Sequence, residues 1–391
     1  MANLQELMAK YGDYQVKMRR HFHQHPEISC HEYETSKRVQ EELTAAGIPW
    51  KQIGLETGVV AEIKGNHPGK TFMLRGDMDA LEVLEKTGCD FASQNEGVMH
   101  ACGHDCHTSM LLTAALMLNE MKDQIHGTVR LFFQPAEECA KGAKAMIAGG
   151  ALDGVDACFG MHVWSDIPAG KASLEVGPRM ASGDLFKIHV KAKGGHGAQP
   201  HLCVDAVVVG AAIVQNLQTI VSRETPPTET AVVSVGIFNA GTRFNVIAGT
   251  AYLEGTTRCF NPEIRAKFPE QITRIASETA KTFGAEAEVE YLPQVPPTIN
   301  DARINGIALE AAESIFGKDC EAGYGCTMGG EDFSYFTERV PGAMAFLGVR
   351  NEALDAVYPQ HSNFYKVDES VLIKGAALYV QTALNFLNAE K

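Results

Sequence analysis

The sequence predicts an α/β fold: an open-sheet domain with helices on both faces, interrupted by a smaller inserted α+β domain. Three observations predict it. Helix-like and strand-like segments alternate through residue 182, as they do when helices cover a sheet. From residue 183 the strand-like runs alternate apolar and polar side chains, the mark of a sheet with one face open to water. After a proline-rich stretch the first rhythm resumes and runs to the end of the chain.

Taken in order, residues 32–47 have helical spacing and stop at Gly47, and residues 71–74 form a short apolar run. HTSMLLTAALMLNEM (107–121) reads as a helix, and 129–133 and 157–163 as two more apolar strands. LFKIHVKAK (185–193) opens the second architecture. It continues with an amphipathic helix over 205–220, strands over 230–238 and 250–258, and a helix that Asn261 caps, Pro262 starts and Gly284 stops. YLPQVPPTIND (291–301) reads as the return linker, followed by a helix over 303–316, a strand over 343–349 and a closing helix from 368 to about 387. The expected domains are therefore 1–182 together with 294–391, and 183–293 inserted between them.

Composition narrows the function classes. The chain has 391 residues, 45% hydrophobic and 21% charged, enough to bury a core in each of two domains. Its net charge of −14 comes without a basic run, which argues against nucleic acid and against an anionic membrane surface. The N-terminal MANLQELMAKYGDYQVKMRR lacks an apolar core, and no uninterrupted apolar run approaches the roughly 18 residues of a membrane span, so a cytoplasmic protein is expected. Ten scattered cysteines with no Cys-x-x-Cys pair fit reduced thiols rather than a disulfide framework.

In an open α/β sheet, ligands sit beyond the carboxyl ends of the strands. Asp77 and Asp79 follow the 71–74 run, Glu137 and Glu138 follow 129–133, His162 belongs to 157–163, and His361 comes after 343–349. HACGHDCH (100–107) lies between the first two strands and packs two Cys, three His and an Asp into eight residues, a density that core packing does not explain. Thiolate, imidazole and carboxylate together suit zinc or a similar divalent ion such as manganese, cobalt or nickel. With Cys102, His104, Glu138, His162 and His361 available, the donors suffice for two ions sharing a water. Of the paired acids, one can ligate while its neighbour shuttles a proton; we take Glu137 as the base and Glu138 as the ligand, an order that strand alternation alone leaves open. Asp77, Asp79 and Asp105 fit a supporting shell or turn positions equally, His107 a cap or orienting role, and Cys106 a structural one. His100 is a weaker member of the cluster. The HFHQHPE run (21–27) is read as a structural element at the domain junction rather than as ligands. In KGGHGAQPH (193–201), His196 follows a strand between glycines, either as a hairpin residue or as a donor brought over the active site by domain closure. Asn245 and Arg258 are candidates for binding a substrate carboxylate.

At this point the residues resemble the aminoacylase and glutamate-carboxypeptidase group of dinuclear metallo-amidohydrolases, and more narrowly its hippurate hydrolase and auxin-conjugate hydrolase branch. The likeness runs from about Arg19 to the C-terminal helix and rests on RRHFHQHPE, RGDMDAL, MHACGHDCH, QPAEE, GMHVW, GGHGAQPH, FNVIAGTAYLEGTTR, MGGEDF and HSNF. It implies that Cys102, His104, Glu138, His162 and His361 hold two divalent metals per subunit and that Glu137 is the acid/base. It also implies that the inserted domain is a lid of the dimerisation type, that the protein is a homo-oligomer (dimer or tetramer), and that His196 stabilises the oxyanion, sometimes across the dimer. One departure is Glu82, where the branch has proline.

The expectation is thus a metal-dependent amidohydrolase acting on small-molecule N-acyl amino acids, with Glu137 activating water and protonating the leaving amine. A dipeptidase or carboxypeptidase on the same scaffold is the nearest alternative, with Glu82 as a candidate acidic group near the acyl pocket. A catalytically silent metal- or metabolite-binding module is the alternative from a different class.

Overall fold

Asn3 opens the first helix by accepting a hydrogen bond from Gln5 N, and Leu7, Met18 and Phe22 bury one face of α1 (Leu4–Gln24) at helical spacing. This element lies beyond those anticipated, although its apolar periodicity was there to read. The computed structural model describes residues 3–389; residues 1–2 and 390–391, which the expected boundaries include, lie outside the described residues. The chain forms two compact units. The larger comprises residues through Arg179, Ile299–Gly325 and residues from Asp332 onward, and the smaller comprises Met180–Thr298 with Cys326–Glu331.

The larger unit is built on a seven-stranded mixed sheet flanked by helices. With β1 (Trp50–Gln52), β2 (Val59–Lys64), β3 (His67–Asp77), β4 (His126–Gln134), β5 (Ala157–Pro168) and β6 (Ala172–Ser173), the order is β1-β2-β4-β3-β5, then the strand Gly342–Arg350, then β6. The four central strands are parallel and the edge pairings antiparallel. Central strands of this kind are covered on both faces, which is why TFML and AMAFLGV read as near-continuous apolar runs, and VRLFF as one broken only by Arg130. Phe72, Leu74, Leu131, Phe133, Phe159, Met161, Ala345 and Leu347 are fully buried there. The helix α3 (His104–Glu120), which comes after α2 (Tyr33–Ala45), is apolar nearly all round because it is sandwiched among α1, β3 and the closing helix Leu372–Ala389. The strand expected over 157–163 extends to Pro168, so His162 lies inside it, opposite Phe346.

The smaller unit is a four-stranded antiparallel sheet in the order Ala231–Ala240, Thr250–Cys259, Gly183–Lys191, Glu286–Val295. Helices Ala206–Thr219 and Pro262–Thr282 pack on it through Val209, Ile213, Leu217, Phe268 and Ile272. Asn261 caps the second helix by accepting from Glu263 N, with Pro262 at the first helical position. The expected linker over 291–301 is corrected, because Thr298–Asn300 is a further short strand and residues 291–295 belong to the strand Glu286–Val295. Pro293 is tolerated there because the strand is an edge and the pairing shifts register between Pro293 and Val295. Residues 326–331 join this unit because Ala181 N donates to the carbonyls of Thr327 and Gly329.

Two helical stretches, Ala206–Glu224 and Glu369–Ala389, are long and apolar enough to cross a membrane by length and composition. The most apolar window of the second is 72% buried, as a core helix would be, against 33% for the first.

Candidate active site

The donors converge because the chain turns sharply at each strand end. Gly103, between Cys102 and His104, has φ +91 and serves as the N-cap of α3; a Cβ there would run into Val163 Cγ2 and meet Tyr365 Oη at 3.0 Å. His361 itself takes a left-handed φ of 65 while its N–H donates to the Ala101 carbonyl, fixing one ligand candidate beside another. Glu137 and Glu138 ride a turn flanked by Ala136 and Ala140, both left-handed.

The five expected donors come together in the larger unit. Cys102 Sγ lies 3.4 Å from His162 Nε2, and Glu138 Oε1 lies 3.9 Å from His104 Nε2 and 3.6 Å from His361 Nε2. Cys102, His104 and His162 form one group whose ligand atoms lie within 4.8 Å of one another, and Cys102, Glu138 and His361 form a second. Glu137 joins His104 and Glu138 in a third. His162 Nδ1 donates to the Val163 carbonyl (2.7 Å), which leaves Nε2 as the lone-pair nitrogen facing Cys102. His104 Nε2 and Glu138 Oε1 are buried and make no hydrogen bond within the protein. Leaving each polar atom so would cost about 1–3 kcal/mol, a cost that a bound cation removes. These residues therefore fit a divalent metal, and the mixed sulfur, nitrogen and oxygen donors suit a borderline ion.

The surrounding charges are arranged to hold the donors. Burial opposes a charged His104, but Asp77 and Cys102 outweigh it and keep its pKa well above the ordinary value. Burial and the neighbouring Glu138 push the Cys102 thiol well up, and burial with the nearby Asp79 raises Glu138. Burial and His107 hold His162 well below the usual imidazole range. A divalent cation pulls thiol and carboxyl the other way, toward the deprotonated forms that ligate.

The supporting residues resolve as follows. Asp79 orients two donors at once: Oδ1 faces His104 Nδ1 at 3.2 Å, and Oδ2 accepts from Glu138 N and Ser29 Oγ. His107 is engaged on both sides, with Nδ1 on Asp77 (2.6 Å) and Nε2 accepting from Val163 N (2.8 Å), so it positions the strand carrying His162. Asp105 pairs with Arg19 and His23, tying α3 to α1; burial opposes its charge, but Arg19 and His23 hold its carboxyl far below the usual range. His100 is buried, and burial pushes its pKa down to about 4. Cys106 is buried in the first turn of α3. The HFHQHPE run makes its side-chain contacts with other residues of the larger unit. His23 bridges Asp105 and Glu85, and Glu27 accepts from the N–H groups of Glu34 and Thr35 in the first turn of the next helix, Tyr33–Ala45. Glu82 is exposed.

Sequence reasoning passed over a buried network of Arg75, Gln134 and Asp332. Arg75 pairs with Asp77 and Asp332, Gln134 bonds to both Arg75 and Asp332, and Asp332 N donates to Glu137 Oε1 at 3.4 Å. The signal was present in that Arg75 and Gln134 directly follow the apolar runs 71–74 and 129–133, where burial makes a charge or amide costly unless partnered.

In the smaller unit, His196 and Asn245 are neighbours. His196 pairs with Val246 across a short two-stranded ribbon, and Asn245 O accepts from Gly197 N. His196 Nδ1 accepts from Ala198 N at 3.0 Å, which places the ring proton on Nε2. Arg258 is eight residues along the strand from Thr250, roughly 25 Å away at about 3.3 Å per residue. Its guanidinium lies over Gly183 and Gly330, where a Cβ would collide with it or press against it. Within this unit the structure thus groups His196 with Asn245 and not with Arg258.

Comparison with known proteins agrees with this architecture. The model of peptidase family M20/M25/M40 matches residues 73–385. Thermostable carboxypeptidase 1 of Saccharolobus solfataricus is 40% identical over 380 residues, covering 96% of each chain. N-acetyl-L-cysteine deacetylase of Bacillus subtilis is 38% identical over 376 residues, covering 96% of this chain and 89% of that protein. IAA-amino acid hydrolase ILR1-like 4 of Arabidopsis thaliana is 36% identical over 381 residues, covering 96% and 86%. Among solved structures, the Bacillus subtilis YXEP protein, described as a dinuclear metal-binding peptidase, superposes with a TM-score of 0.86 at 36% identity, covering 97% of this chain and 99% of that one. The acids and metal-type donors of the larger unit therefore sit in a known hydrolytic scaffold, and the chain belongs to peptidase family M20/M25/M40, a family of hydrolases that cleave amide bonds.

Proposed function

We propose that the protein hydrolyses N-acyl amino acids to a carboxylic acid and a free amino acid, using two divalent metals per subunit, zinc or manganese, with cobalt or nickel able to substitute. The observation that carries the reading is the pair of buried, unbonded donor atoms, His104 Nε2 and Glu138 Oε1, facing Cys102, His162 and His361 with Glu137 alongside. Relatives named as an N-acetylcysteine deacetylase and an IAA-amino acid hydrolase support the N-acyl class. Cys102, His104, Glu138, His162 and His361 would hold the ions, which when bound polarise the amide carbonyl and make water acidic enough to ionise near neutral pH.

Glu137 takes the proton from the attacking water and delivers it to the nitrogen as the carbon–nitrogen bond breaks. His196 donates from Nε2 to the carbonyl oxygen as it gains charge. Asn245, beside His196, and Arg258, through its planar guanidinium, are assigned to substrate binding, with Arg258 toward the carboxylate. The reading includes a cytoplasmic homo-oligomer, a dimer or tetramer.

A second reading is favoured by the carboxypeptidase relative. The terminal residue of a peptide and the amino-acid half of an N-acyl substrate are the same group, so the two activities differ only in the acyl side. A panel of N-acetyl-, N-benzoyl- and aminoacyl-amino acids, run with each added metal, separates them. We expect the acetyl or benzoyl compounds to be cleaved at least tenfold faster by kcat/KM; preference for the aminoacyl compounds would establish the peptidase reading instead.

A further inference from the structure

Beside the Glu137–Glu138 turn lie two thiols that the hydrolytic reading does not use. Cys30 Sγ and Cys139 Sγ are 4.0 Å apart, and both residues are partly exposed. We propose that Cys30 and Cys139 form a modification site, a thiol pair that a peroxide closes to an intramolecular disulfide, displacing the turn that carries Glu137 and Glu138.

The two segments are already held in register by shared carboxylates. Glu32 Oε1 accepts from both Cys30 N (2.9 Å) and Ala136 N (2.8 Å). Asp79 Oδ2 accepts from both Ser29 Oγ (2.6 Å) and Glu138 N (3.0 Å). The sulfurs therefore meet without a search, and bond formation requires them to approach by about 2 Å. That approach is not neutral for the site. Cys139 follows Glu138 directly, and its turn is bounded by the left-handed Ala136 and Ala140, conformations with little room to adjust. Drawing Cys139 toward Cys30 pulls on the Glu138 N–H that Asp79 holds and on the carboxylates either side of that bond.

The chemistry balances with hydrogen peroxide as the oxidant. One thiolate attacks a peroxide oxygen, breaking the O–O bond to give a sulfenic acid; the departing hydroxide takes up the thiol's proton and leaves as water. The second thiol attacks the sulfenic sulfur, forming the S–S bond, and the expelled hydroxide leaves with the remaining proton as a second water. Two cysteines lose one electron each and the peroxide gains two.

The test treats metal-loaded enzyme with hydrogen peroxide, quenches it, and divides each sample between peptide mass spectrometry and hydrolysis of the best substrate of the panel. Expected in the wild type are a Cys30–Cys139 linked peptide, two hydrogens lighter than its parts, and at least a tenfold rate loss that a phosphine reductant restores. Cys30→Ser keeps its rate through the same treatment and gives no linked peptide; Cys139→Ala repeats the result from the other side. No linked peptide in oxidised wild type, or an equal loss in Cys30→Ser, overturns the proposal, and a linked peptide with an unchanged rate overturns the displacement of the turn. The rate effect rests on the role proposed for Glu137 and Glu138, whereas the linked peptide does not, so failure of one is distinguishable from failure of the other.

Discussion

Glu137 and Glu138 are consecutive acids with different surroundings. Glu138 has its N–H held by Asp79 and its Oε1 among imidazoles, whereas Glu137 Oε1 accepts from Asp332 N at the rim of the same cluster. If Glu137 moves the proton while Glu138 holds metal, Glu137→Gln keeps the metal content and lowers kcat by about 10²–10⁴-fold, the usual contribution of a positioned acid/base. Metal content by mass spectrometry beside kcat checks this, and near-normal turnover in the variant would sink the assignment of the base. At this scale Cys102, His104 and Glu138 were legible as candidate donors because they sit inside the dense strings HACGHDCH and QPAEE, and His162 and His361 because they lie in or after an apolar strand run. Of the residues around them, Asp77 and Asp79 were readable as a supporting shell or as turn positions, but Arg75, Gln134 and Asp332 were passed over. Asp332 reaches Arg75 and Gln134 across 257 and 198 positions, and nothing local in MGGEDF announces such a contact.

At the level of elements, the entry to α3 carries the most consequence. Cys102 and His104 flank Gly103, whose φ of +91 and contact with Val163 leave no space for a side chain. Gly103→Ala combines left-handed strain with a clash against the core, and should destabilise the fold by about 2–4 kcal/mol. Because both flanking donors shift with the backbone, it should also lower metal retention. Urea unfolding of the metal-loaded protein, with metal analysis after dialysis, measures both; a change below about 0.5 kcal/mol with full metal content would contradict this account of the turn. Elements were read well where periodicity is strong, as in the helix over 303–316, observed as Ala302–Phe316, and the strand over 343–349, observed as Gly342–Arg350. They were misread where a local signal competes with tertiary context. Pro293 suggested a linker where an edge strand accepts it, and α1 was passed over although Leu7, Met18 and Phe22 recur at helical spacing.

On the scale of the molecule, the homo-oligomer proposed above has a candidate surface in the smaller unit. Val207 and Val208 on the helix Ala206–Thr219 are 43% and 50% exposed, and Ile237 and Phe238 on the strand Ala231–Ala240 are 42% and 39% exposed. The Phe238 ring packs against Gly210, so helix and strand share one apolar surface. That strand is also the sheet edge, with one row of backbone donors and acceptors not used by the sheet. Apolar area beside an open edge is what a two-fold pairing of strands and helices would cover. The pattern was only partly legible, since the sequence marks the helix as amphipathic but not which of its residues a closed domain leaves outside. We expect the wild type to sediment as a dimer or tetramer, and the double substitution Val208→Glu with Phe238→Glu to shift it to monomer while its circular dichroism spectrum stays unchanged. Two charges facing their own copies across a two-fold axis would be buried without partners, which costs several kcal/mol and should weaken association at least a hundredfold. A wild type that is monomeric at micromolar concentration would show that this surface serves something other than self-association.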